Sequence, residues 1–420
     1  MEHPNYARDY SDIHKCLRFR EEGHPRNRSE DKPLPFAESC VYCLKFSSGN
    51  DRYLIGHNSY RCEEHDEHFE GEPVEEGESD EKIEENKTFR YLLMRECPSS
   101  DPPRQHNRVT ILLHGLNERT FLKYMPWAYH IWRSSETPVV LFPLSFSINR
   151  VLRDWAREVR STYQRRQALP NNERSHRFNA TISERLEPRP ERFFWGAIQS
   201  YWDIVDFVRQ IRGGKHEQLK KHFTQDAQVN FLGYSSGGYL ALALLAINHE
   251  ELFSESRASL FASCVEMDEL RPASPYVVDG RAELFLRTLY VNRFGELPNE
   301  RMKHWLNHHP EARWLSSFAG KPPDRAQREA HLRVLAPRIF GIANTNDQVM
   351  PRGAMLNGLQ GIDRDTGVRV ESLSLGIHEC PFAFADYNQS DAEFILGTVN
   401  EQLYGSEFEQ FIHWIVKHLE

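Results

Sequence analysis

Short apolar runs, each closed by a glycine-rich or polar stretch, set the rhythm of the chain. Arg108–Leu113, Val139–Leu144, Val229–Leu232, Ser259–Val265 and Pro337–Ala343 have the length and the β-branched and aromatic content of buried strands, and Val368–Leu375 alternates as a final strand. Tyr239–Ala246 is also apolar but lacks alternation and follows a glycine turn, which predicts a buried helix. The stretch from Asp268 to Arg333 is helix-patterned, with Phe285, Leu286, Leu289, Trp305 and Trp314 as candidates for an apolar underside.

The chemistry collects where these strands end. Val229–Leu232 runs into Gly233-Tyr234-Ser235-Ser236-Gly237 and then into the apolar helix. A serine on so tight a strand-to-helix turn is held in a strained backbone conformation, and flanking glycines remove side chains that would collide. The Ser235 hydroxyl is thereby presented at the top of the sheet, where a histidine base could activate it. The Ser236 N–H, at a helix N-terminus, could face a developing oxyanion. Upstream, Arg108–Leu113 ends in His114-Gly115-Leu116-Asn117. Downstream, Pro337–Ala343 leads to Asn344-Thr345-Asn346-Asp347, and the final strand delivers Gly376-Ile377-His378-Glu379.

With these motifs in this order, residues about 88 to 420 resemble the α/β-hydrolase superfamily. The run His114–Arg119 resembles an uncharacterised bacterial branch of it. The resemblance implies a helix-flanked, mostly parallel sheet with a helical cap, and a serine hydrolase acting on a small-molecule acyl substrate without a cofactor. Its catalytic residues would be Ser235, Asp347 and His378, with the N–H groups of Leu116 and Ser236 as the oxyanion hole. His114 is read as bracing its loop rather than as the base. Glu266 and Asp268, behind the Ser259–Val265 strand, are the alternative positions for the acid. The same residues would also serve an acyltransferase, and an inactive hydrolase scaffold that only binds remains a third reading.

Charge and cysteines refine this outline. The net charge of −9 is local: Glu63–Glu85 holds thirteen acids against one lysine, which leaves the remainder at +3 and gives no electrostatic case for nucleic-acid binding. This acidic run reads as a linker, so that residues 1–87 form an extension and 88–420 the hydrolase domain with insertions at about 150–192 and 268–333. The first insertion carries eleven arginines against six acids, read as a surface salt-bridged to the acidic linker. No stretch reaches the roughly 20 apolar residues of a membrane span, and the start of the chain has no apolar leader. Seven cysteines, an odd number, fit reduced thiols and a cytoplasmic location. Cys40-x-x-Cys43 and Cys62-x-x-His65 have the spacing of a zinc ribbon, but the intervening segment lacks glycine-rich knuckles, and free cysteines packed as small hydrophobes are favoured, with no metal assigned.

Overall fold

The computed structural model describes residues 32–33, 39–56, 59–70, 79–96, 104–216, 218–292, 299–319, 322–382 and 405–420. Strands β1 (Lys32–Pro33), β2 (Ser39–Ser47), β5 (Thr88–Glu96), β6 (His106–Leu113), β7 (Val139–Phe142), β8 (Phe223–Tyr234), β9 (Ala258–Phe261), β10 (Ile339–Asn344) and β11 (Arg369–Leu373) form one sheet. Their order is β1-β2-β5-β7-β6-β8-β9-β10-β11. From β7 to β11 all neighbours are parallel, while β1, β2 and β5 form an antiparallel margin. A separate hairpin pairs β3 (Ser59–Cys62) with β4 (Glu67–Glu70).

The apolar runs are continuous because both faces of the sheet are covered. Along β6, Val109, Ile111 and Leu113 enter one core and Leu112 the other; along β7, Val140 and Phe142 part from Val139 and Leu141 in the same way. The first core is closed by helices α4 (Glu191–Arg212) and α5 (Ser236–Ile247), the second by α1 (Met125–Ser135) and α11 (Gly405–Leu419). Between α1 and α4 run α2 (Arg153–Gln167) and α3 (Ala180–Leu186). The insertion between β9 and β10 supplies α6 (Gly280–Arg287), α7 (Glu300–His308), α8 (Pro310–Ser316) and α9 (Pro322–Leu335), and α10 (Arg352–Gln360) joins β10 to β11.

Part of the chain before residue 88 is built into the sheet. Strand β2 pairs with β5 over nine residues, from Ser39 opposite Glu96 to Ser47 opposite Thr88. Just beyond β2, Ser48 Oγ donates to Asp203 Oδ1 at 2.5 Å and Asn50 Nδ2 donates to the same oxygen at 2.9 Å. The other oxygen of Asp203 accepts from Arg150 Nη2 at 2.7 Å, and neither side chain of this pair is exposed. Arg150 also donates to Asn86 Oδ1 and to the carbonyls of Asn86 and Pro143, so the buried guanidinium is well satisfied. Of the other arginines in the first insertion, Arg185 and Arg192 face Asp80 of the acidic segment, at 2.6 and 3.3 Å, whereas Arg166 is buried against Asp279 at 2.5 Å. Among the described residues no helix is long and apolar enough to cross a membrane.

Candidate active site

Parallel register sets the site, because it aligns the ends of strands that are far apart in sequence. Gly233 on β8 lies opposite Leu113 on β6 and Leu260 on β9, so the turns after β6 and β8 emerge side by side. Asn344 on β10 lies opposite Leu373 on β11, which sends the loops carrying Asp347 and His378 out together. At the end of β8, Ser235 adopts φ 53° and ψ −124°, a left-handed conformation that costs a non-glycine residue strain. The surrounding packing holds it there. A Cβ on Gly233 would stand 2.5 Å from Gly238 Cα, and one on Gly237 would strike the Leu113 carbonyl. The Ser235 carbonyl accepts from Ser263 Oγ at 2.5 Å, and its N–H donates to Phe261 O at 3.1 Å.

Ser235, Asp347 and His378 are brought together as a continuous chain of contacts. His378 Nε2 lies 2.9 Å from Ser235 Oγ, and His378 Nδ1 lies 2.6 Å from Asp347 Oδ2. The remaining carboxylate oxygen, Oδ1, accepts from the N–H groups of Val349 at 2.9 Å and Met350 at 2.8 Å, which fixes the plane of the carboxylate. Only 5%, 5% and 4% of Ser235, Asp347 and His378 are exposed, so these contacts act in a low-dielectric setting. Burial works against the imidazolium, but the charge and hydrogen bond of Asp347 outweigh it and raise the His378 pKa. Tyr234 stacks on the imidazole, with centroids 5.3 Å apart, and its hydroxyl donates to the His378 carbonyl. Of the two alternative acids, Glu266 is held by Arg325 and Arg328, and it is Asp347, not Glu266 or Asp268, that contacts His378.

His114 is neutral and structural. Burial depresses its pKa to about 4; Nδ1 donates to Gly115 O at 2.7 Å and Nε2 accepts from Leu144 N–H at 2.9 Å. Its ring therefore ties the end of β6 to the end of β7. The loop it braces lies against the serine, since a Cβ on Gly115 would be 3.2 Å from Ser235 Cβ. Tyr124 Oη accepts the Gly115 N–H at 3.2 Å and donates to Glu118 Oε1 at 2.6 Å, while the Asn117 amide donates to the carbonyls of Phe178 and Tyr276.

Gly115, Leu116 and Ser236 line a cleft whose other walls come from both insertions. Ile182, Leu186, Phe193 and Phe194 contribute from α3 and α4, and Tyr290, Leu315 and Ala319 from the segment between β9 and β10. The lining is largely apolar, and Arg185 and Arg192 are its charged members. Ser235 is the direct neighbour of the lining residue Ser236, so a serine hydroxyl in contact with a histidine stands beside an apolar cleft, an arrangement that can carry out acyl transfer.

The zinc-ribbon pattern is redistributed. Cys43 lies on β2, opposite Leu92 of β5, and the side chain of Cys40 is outside the described residues. Cys62 and His65, on the β3–β4 hairpin, instead meet His304 and His309 at the end of α7, residues assigned no role from sequence. The spacing His304-x₄-His309 within a helix-patterned segment was the available signal.

The sheet order and the strained serine between β8 and α5 define the α/β-hydrolase fold. Within that fold the chain belongs to a family of unknown function (DUF6051), whose model matches residues 10–400. Comparison with curated proteins finds no match. Solved structures similar to it include a thermostable esterase from Pseudomonas putida ECU1011, at 10% identity over 99% of this chain and 89% of that one, with a TM-score of 0.44. Carboxyl esterase 2 of the mycorrhizal fungus Tuber melanosporum is 12% identical over 99% of each chain, with a TM-score of 0.41. A hyperthermophilic esterase from the archaeon Pyrobaculum calidifontis is 12% identical over 78% of this chain and 79% of that one, with a TM-score of 0.36.

Proposed function

We propose that the protein is a serine hydrolase that cleaves carboxylic esters or thioesters through an acyl-enzyme. The observation that carries this reading is the contact chain Asp347 Oδ2, His378 Nδ1, His378 Nε2 and Ser235 Oγ, with links of 2.6 and 2.9 Å, ending on a serine at φ 53°. In the reaction, Ser235 Oγ attacks the acyl carbon and its proton passes to His378 Nε2. Asp347 accepts from Nδ1–H, holds the tautomer and stabilises the imidazolium. The oxyanion is received by the N–H groups of Ser236 and Leu116. Collapse of the tetrahedral intermediate breaks the bond to the alkoxide or thiolate, which takes the proton from His378. Water then attacks the acyl-enzyme by the same proton route, releasing a carboxylic acid and restoring Ser235. This chemistry calls for no cofactor.

Labelling with a fluorophosphonate probe, followed by turnover of acyl esters of increasing chain length, tests the proposal. Wild-type protein is expected to label at Ser235 and turn over uncharged esters. Ser235→Ala should lose labelling and at least ~99.9% of turnover while melting as the wild type does. Folded wild-type protein that neither labels nor cleaves any ester of the panel would overturn the assignment.

A further inference from the structure

A second cluster of reactive side chains lies outside the cleft, where the β3–β4 hairpin meets the end of α7. Cys62 closes β3 and His65 sits in the turn that follows; His304 is on α7 and His309 is the residue just beyond it. One ligand atom from each of the four lies within 4.8 Å of every other. Cys62 Sγ is 3.3 Å from both His65 Nδ1 and His309 Nε2. A tetrahedral zinc ion with ligands at its usual distances would set neighbouring donor atoms about 3.5 Å apart, so two of these separations are already close to that arrangement. We propose that Cys62, His65, His304 and His309 bind one zinc ion and thereby fasten the β3–β4 hairpin to the inserted helices.

Three independent features support this. The first is an unmet polar atom: His304 Nε2 is buried and has no hydrogen-bond partner among the described residues, a costly state that a bound cation would relieve. The second is spacing. Cys62-x₂-His65 on a hairpin and His304-x₄-His309 at a helix end fall within the separations by which hairpin and helix each present two ligands to structural zinc. The third is what surrounds the donors. Trp305 stacks on His309 with centroids 4.1 Å apart and planes within 2°, and Phe69 packs 5.1 Å from His304. On the far side of His309, Nδ1 lies 3.6 Å from Glu311 Oε1, which accepts from Trp202 Nε1 at 3.2 Å. A ligating histidine is commonly oriented by a carboxylate, and a shift of about 0.5 Å would bring Glu311 within hydrogen-bond reach.

The donor set also selects the ion. One thiolate and three imidazoles suit zinc and exclude magnesium and calcium, which require oxygen ligands. Four protein ligands leave no position for a reacting water, so the ion would be structural. Helix α8 begins at Pro310, directly after His309, and carries Leu315 and Ser316 to the cleft wall. The ion would thus fix one wall of the cleft from outside it.

Metal analysis of the full chain, expressed without a histidine tag in zinc-supplemented medium, is expected to find about one equivalent of zinc, falling below about a tenth in Cys62→Ser and in His304→Ala/His309→Ala. Chelation should lower the melting temperature and added zinc restore it. Because the variants could fail to fold, the decisive measurement is cobalt(II) titration of chelator-stripped wild type. Tetrahedral d–d bands with a thiolate-to-metal charge-transfer band support the site. Folded wild type with under about a tenth of an equivalent of zinc and no thiolate band overturns it, as does a folded Cys62→Ser variant that keeps its full zinc content.

Discussion

Asp347→Asn offers the sharpest test of how the buried site works, because the structure dictates which way the new amide must face. Asp347 Oδ1 accepts two backbone N–H groups, from Val349 and Met350. An amide NH₂ placed there would meet two donors, so the asparagine oxygen must take the Oδ1 position and the NH₂ group the Oδ2 position. That group lies at the 2.6 Å contact with His378 Nδ1 and can only donate to it. Nδ1 must then be the unprotonated nitrogen and Nε2 carries the hydrogen, so Ser235 Oγ faces a donor instead of a base. Loss of the correct tautomer without loss of geometry is expected to lower kcat about 10⁴-fold, or ~5.5 kcal/mol in the barrier. The assay is ester hydrolysis under saturating and subsaturating substrate, with circular dichroism and melting to confirm the fold. KM should change little, since the carboxylate contacts histidine and backbone and not the cleft. A folded Asp347→Asn variant retaining more than about a tenth of wild-type kcat would refute the reasoning.

Three further outcomes follow from the same contacts. Since His378 must be neutral to accept the serine proton and Asp347 raises its pKa, kcat/KM should fall with decreasing pH along a one-proton limb whose midpoint lies above the ordinary 6.5; a pH–rate profile with its midpoint below that value would contradict the assignment. Asp203→Ala leaves the unexposed Arg150 guanidinium without its charge partner and should cost ~3–5 kcal/mol in a denaturant titration; a loss below ~1 kcal/mol would show that the network is not structural. A chain starting at residue 88 loses all nine pairings of β2 and bares the β5 edge beside the buried Tyr91 and Leu93, so it should aggregate or unfold without cooperativity; a cooperative melt close to that of the full chain would argue otherwise.

The site was more legible in the sequence than the sheet that holds it. Ser235 and Asp347 follow the ends of parallel strands whose final residues are buried and read as apolar runs that stop in polar loops, whereas His378 follows the edge strand β11, which is largely exposed or half-buried and is legible by its alternation. Strand β2, Ser-Cys-Val-Tyr-Cys-Leu-Lys-Phe-Ser, belongs to the antiparallel margin and is separated from its partner β5 by the acidic run. Charge dominates that run locally, and nothing in it announces that the chain returns to pair beside itself. The partners of Arg150 and Arg166 were hidden for a related reason. Asp203 lies on a largely buried helix and Asp279 in the other insertion, at separations of 53 and 113 residues, so only the fold reveals the pairing. The hairpin half of the Cys/His cluster could be read from spacing, but its other half lies about 240 residues downstream.

Asp80 gives the cleft an electrostatic character that its lining alone would not suggest. It faces both guanidiniums at the rim, Arg185 and Arg192, and is itself almost wholly buried. A guest bearing a carboxylate or phosphate would have to compete with this resident anion for its cationic hosts, and the desolvation of its own charge would count against it. Any preference for or against a charged guest would therefore depend in part on a residue from the acidic segment, whose single carboxylate offsets one of the two guanidinium charges.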